Sequence, residues 1–179
     1  ATYFTPRIAG FQAGFSYAPD ADQDSFAPQR GALTNTDGYE GGVNYINSFN
    51  GVDVAASVTG TFLNSSTPTP NVDGEAWNVT PGFVLGYGGF DFGASIGFGE
   101  NNEQDQFAVD AGVGYSTGPW AVSLTGMYSE RDDIPLGNTT VEDEFYEVNA
   151  GINYALGPGV SVFTTAAVGE WESGDTQGI

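Results

Sequence analysis

The chain has 179 residues, of which 23 are Asp or Glu and three are basic (Arg7, Arg30 and Arg131), for a formal net charge of −20, with no His and no Cys. That balance excludes a nucleic-acid partner, whose phosphates need a basic footprint, and no run of about 18 apolar residues is present to cross a membrane as a helix. The lack of Cys fits an extracytoplasmic bacterial protein.

Alternation of period two, and nowhere sustained helical spacing, runs along the chain. Residues 1–6 read as the tail of one strand. Phe11, Ala13, Phe15 and Tyr17 then share a face. Gly41 to Phe49 is a ragged strand, with Ile46 on its polar side. Val52 to Phe62 alternates cleanly, as do Trp77 to Tyr87, Phe90 to Phe98, Phe107 to Tyr115, Trp120 to Tyr128, Tyr146 to Tyr154 and Val160 to Val168. Tight turns are expected at Asn50-Gly51, Gly88-Gly89, Gly118-Pro119 and Gly157-Pro158. Between them fall longer polar links, Pro19 to Asp37, Asn64 to Glu75, Gly99 to Asp105 and Arg131 to Asp143.

Short and long connections therefore alternate, which in an antiparallel meander puts every tight turn at one end and every long loop at the other. Outer-membrane barrels sort their connections in this way. The apolar rows are bordered by rings, namely Phe11, Tyr17, Phe62, Trp77, Tyr87, Phe90, Phe98, Phe107, Tyr115, Trp120, Tyr128 and Tyr154. Two water–lipid interfaces select this placement, because Trp and Tyr are apolar in body and polar at the tip. The opposite rows read as Gly, Ser, Thr, Asn, Asp and Glu, which suits water. The expectation is an all-β, antiparallel, up-and-down transmembrane β-barrel, with residues 1–179 as one barrel domain incomplete at both ends. Soluble sandwiches share the alternation but have no reason to sort their loops.

The segments "YFTPRIAGFQAGFSYAPD", "YSTGPWAVSLTGMYSE" and "NYALGPGVSVF", and the spacing of Tyr3, Pro6, Arg7, Gly10, Phe11 and Gln12, resemble Gram-negative general porins of the alphaproteobacterial type. The resemblance implies a sixteen-stranded barrel of which about ten strands are present, a homotrimer, and an outer-membrane location. It also implies a constriction loop that precedes Ala1 on this strand count.

Diffusion through a pore needs no catalytic group, and an enzyme on such a wall would ordinarily use the histidine that this sequence lacks. The lumen is expected to be lined by Glu40, Asn44, Asn78, Thr80, Asp110, Glu147, Asn149 and Asn153, with Asp53 and Asp91 beside tight turns at the periplasmic mouth. Asp110 and Glu147 lie within their strands, so they are the expected determinants of a cation preference. The remaining acids crowd the long links. Asp20, Asp22, Asp24, Asp132 and Asp133 offer hard oxygen ligands for Ca²⁺, although the EF-hand template fails at Ser25 and Gly31. Divalent ions there could bridge carboxylates to lipopolysaccharide phosphates. The expected function is an outer-membrane diffusion porin for small hydrophilic solutes and ions. The alternatives are a structural or adhesive barrel and a soluble Ca²⁺-binding β-sandwich.

Overall fold

A computed structural model describes residues 1–19, 35–65, 75–101, 104–132 and 142–173. Within them lies one ten-stranded sheet in which every strand pairs with its sequence neighbours, in the order β1 to β10. The strands are β1 (Thr2–Phe4), β2 (Phe11–Ala18), β3 (Asn35–Phe49), β4 (Val52–Ser65), β5 (Glu75–Tyr87), β6 (Phe90–Asn101), β7 (Gln104–Thr117), β8 (Trp120–Asp132), β9 (Glu142–Gly157) and β10 (Val160–Ser173). All pairings are antiparallel, so the meander expected from period-two alternation is the fold.

No apolar side chain is buried among the described residues. Phe83, Leu85, Val109 and Leu124 are not packed into a sealed centre; they are 38–52% exposed on one face of a single sheet. A soluble sandwich would bury that face against a second sheet. Here the apolar rows have no protein partner, and the hydrophobic driving force must come from another phase.

Local chemistry explains where the structure departs from the sequence reading. β1 is only three residues long, and a two-residue turn at Ala9-Gly10 follows it, closed by paired backbone hydrogen bonds between Ile8 and Phe11 of 2.8 and 2.9 Å. The last tight turn falls at Pro158-Gly159, not Gly157-Pro158, because the left-handed residue there is Gly159 at φ +77° and proline cannot take positive φ. The ladder slips beside it, between Val160 and Ser161. The stretch Gly99 to Asp105 is not a long link. β6 and β7 run on through it, pairing Glu100 with Asp105 and Asn101 with Gln104, so only residues 102–103 lie between the strands. Arg131, Asp132 and Asp143 likewise belong to β8 and β9 and not to a loop. Pro81 sits mid-strand, and the β5–β6 pairing is interrupted at Thr80 and Pro81, since proline has no N–H to give.

A candidate channel wall

Cross-strand register sorts the sheet into two faces. One row runs Gln12, Asn44, Ser57, Gly82, Ser95, Asp110, Met127, Glu147 and Gly169, one residue from each of β2 to β10. Stepping two residues along any strand stays on that side. All eight residues expected to line a lumen (Glu40, Asn44, Asn78, Thr80, Asp110, Glu147, Asn149 and Asn153) therefore share this polar face. All twelve bordering aromatics (Phe11, Tyr17, Phe62, Trp77, Tyr87, Phe90, Phe98, Phe107, Tyr115, Trp120, Tyr128 and Tyr154) share the other.

The polar face is organised by short side-chain contacts. Ser95 donates its hydroxyl to Asp110 from the adjacent strand. The Asn149 amide donates to Glu147 at 2.6 Å. Asp53 accepts from Ser48, and Asp53 and Asp91 flank Gly86, where a Cβ would lie 2.9 Å from Asp91 Oδ1 and would displace that carboxylate. Arg7 lies over the same face beside β2 and β3, donating to the Gly10 carbonyl (2.6 Å), Gln12 Oε1 (3.0 Å) and Asn44 Oδ1 (2.7 Å). A hollow of about 810 Å³ opens on this face, bordered by residues of seven successive strands from Asn44 on β3 to Asn149 on β9.

Toward the long-connection end the polar face changes character. One row there carries Asn78, Gly99, Gln106, Arg131 and Asp143, in which the Arg131 guanidinium pairs with Asp143 at 3.2 Å. The next row carries Gly97, Ala108, Ser129, Phe145 and Trp171. The face is thus not uniformly Gly, Ser, Thr, Asn, Asp and Glu, as the sequence reading had it: Val84, Met127, Phe145, Phe163 and Trp171 also stand on it.

The apolar face carries rings near both ends of the strands. Phe90 meets Tyr115 at 4.4 Å between centroids and Trp120 meets Tyr154 at 4.5 Å near the tight turns. Tyr17 meets Tyr39 at 5.0 Å and Phe98 meets Phe107 at 5.6 Å near the long connections. At that second end the ring tips are tied to carboxylates. Tyr17 donates to Asp37 (2.7 Å), Trp77 to Glu100 (3.3 Å), Tyr128 to Glu130 (2.9 Å) and Glu144 (2.7 Å), and Tyr146 to Glu170. Amphipathic rings with polar tips gathered in a band are the arrangement an interface favours.

Sequence reasoning missed Tyr39 and Tyr45 among the apolar-face rings, placed Tyr146 in its apolar row without counting it among the bordering rings, and missed the polar-face position of Arg7. Tyr45 belongs to the ragged strand, where Ile46, correctly read as lying on the polar side, blurs the alternation, and Tyr39 lies before the expected start of that strand, within β3. Of the residues expected to bind Ca²⁺, Asp20, Asp22, Asp24 and Asp133 lie outside the described residues. Asp132 ends β8 on the apolar side. Among the described residues no group of three or more acidic, His or Cys side chains is placed to hold a metal ion.

The family described as "Gram-negative porin" matches residues 1–173. No curated protein matches the chain in sequence. Among solved structures, an OmpT loop L8 deletion mutant, an outer membrane protein of Vibrio cholerae, superposes with a TM-score of 0.66 at 15% identity. The match covers 96% of this chain and 57% of that one. Acinetobacter baumannii OccAB3 matches with a TM-score of 0.44 at 13% identity, covering 96% of this chain and 61% of that one. The chain thus spans less than two thirds of either solved structure.

Proposed function

The chain belongs to the Gram-negative porin family, and from that premise we propose that its polar face is the wall of a water-filled channel admitting small hydrophilic solutes and ions. It is a protein of the bacterial outer membrane. One observation carries the reading: among the described residues the sheet has an apolar face that no protein covers and a polar face hollowed across seven strands. In lipid the first must meet acyl chains and the second must meet water. Passage needs no chemical step, so no catalytic residue is assigned.

The channel prefers cations. Supporting this, Glu40, Asp53, Asp91, Asp110 and Glu147 stand on the polar face, where Arg7 is held by Gln12 and Asn44 and Arg131 is paired with Asp143. Carboxylates along a pore raise the local cation concentration. The aromatic band beside Asp37, Glu100, Glu130, Glu144 and Glu170 is proposed to sit at the lipopolysaccharide leaflet. Ca²⁺ bridging loop carboxylates to lipid phosphates there is part of the same proposal, as is a homotrimeric assembly.

Planar-bilayer recording of the full-length protein tests the channel. Stepwise ohmic conductance, with a reversal potential in a KCl gradient that marks K⁺ as the more permeant ion, is the expected result. Insertion without any conductance would favour a structural or adhesive barrel. Anion selectivity would overturn the preference alone.

A further inference from the structure

The polar face holds a second hollow, of about 460 Å³, at the long-connection end. Its composition is unlike the rest of the wall. Phe145 and Trp171 stand side by side on it, their ring centroids 6.3 Å apart and their planes at 64°. Beside them the Arg131–Asp143 pair joins β8 to β9, and Asn78 and Gln106 lie along the border. The floor is small, because Gly97 and Ala108 face each other across β6 and β7.

Two rings on the water side of a pore wall gain nothing from a core, since none is buried there. Trp171, exposed, offers a flat apolar face to a solute, with Phe145 set edge-on beside it. The guanidinium and carboxylate cancel in charge while keeping donor and acceptor capacity side by side, for Arg presents five N–H donors and an ionised Asp only acceptors. Glu130 and Glu144 also border the hollow, but they stand on the apolar-face register and accept from Tyr128. On the polar face the ion pair is therefore a neutral patch in a chain of net charge −20. A fitting solute is uncharged, rich in hydroxyls and flat with C–H groups on one side. We propose that this hollow is a binding subsite for a neutral sugar, with one pyranose ring stacked on Trp171, Phe145 against its edge, and its hydroxyls shared among Arg131, Asp143, Asn78 and Gln106. The volume lies in the range of small-ligand sites, roughly 300–1,000 Å³. The inference rests on the polar face being the pore wall.

The test uses the full-length protein in planar bilayers, with maltose as the probe and sorbitol, which has hydroxyls but no ring, as its control. Maltose is expected to interrupt the ion current in a saturable way, and sorbitol is not. Gly97→Val should fill the floor, and its Cβ fits in ordinary contact, because the nearest atoms to a Cβ there are Thr80 Oγ1 at 3.5 Å and Ala108 Cβ at 3.9 Å. The half-blocking maltose concentration should rise about tenfold or more in that variant, and roughly three- to tenfold in Trp171→Ala, with Trp171→Phe restoring most of the affinity. Equal effects of maltose and sorbitol, or unchanged block in Gly97→Val and Trp171→Ala, would overturn the subsite while leaving the channel intact. A native protein with no ion current at all would overturn the channel and the subsite with it. If Gly97→Val does not fold, tryptophan fluorescence of the folded native protein decides: a saturable change with maltose alone supports the subsite, and a flat titration overturns it.

Discussion

At the scale of single residues, the turn glycines and the polar-face acids make separable predictions. Gly10 has φ +90°, and a Cβ there would lie 2.7 Å from Tyr45 Cε2 and 2.8 Å from the Ile46 carbonyl. Gly159 has φ +77° but open space around it. Gly159→Ala should therefore cost only the left-handed backbone term, about 1 kcal/mol, while Gly10→Ala adds overpacking and should cost roughly 2–3 kcal/mol. Urea unfolding of the protein in lipid vesicles reads both. Asp110 and Glu147 lie mid-strand in one register row, separated by Met127. Asp110→Asn combined with Glu147→Gln should lower the K⁺/Cl⁻ permeability ratio by roughly twofold or more at low salt, measured as a shift of reversal potential. An unchanged ratio would move the selectivity elsewhere on the circumference. The polar-face position of Arg7 could not be read from its own neighbourhood. Its partner Asn44 is 37 residues away, and only the β2–β3 register brings Gln12 and Asn44 together under one guanidinium.

At the scale of strands, the two faces were legible because the side-chain period is two and any slip would exchange them entirely. The same rule makes neighbouring residues behave oppositely. Leu124 and Thr125 are adjacent on β8 and stand on opposite faces, both exposed. Leu124→Arg should destabilise the folded state by about 2–4 kcal/mol in a bilayer, whereas Thr125→Arg should cost far less. Equal costs would contradict the assignment of faces. Strand ends were less legible. Glu100, Asn101, Gln104 and Asp105 are polar in a row and read as a loop, yet their backbones remain paired. Alternation marks where a strand crosses an apolar layer and says nothing about how far the ladder continues beyond it. Trp171 escaped notice for the same reason: it lies past the apolar row of β10, and its pairing with Phe145 places it on the polar side.

At the scale of the whole molecule, what organises the sheet is the phase on either side of it. A ten-stranded sheet with no buried apolar side chain among its described residues has no interior of its own. Among the described strands β1 and β10 each have a single partner, and lipid does not tolerate unpaired backbone, so pairing of both edges in the membrane is expected. The strong acidic excess acts at this scale too. Cation preference should be pronounced near 0.01 M salt and much weaker near 1 M, as the screening length falls from about 30 Å to about 3 Å. A preference that does not change with salt would place its origin in direct coordination and not in the field of the wall. The central claim is that one face meets acyl chains and the other meets water. Because the chain has no cysteine, single cysteines can be placed at Val122, Ser123, Leu124 and Thr125 of the full-length protein and spin-labelled in vesicles. Collision with dissolved oxygen should dominate at 122 and 124 and collision with a water-soluble nickel chelate at 123 and 125. The reverse alternation, or none, would contradict the account.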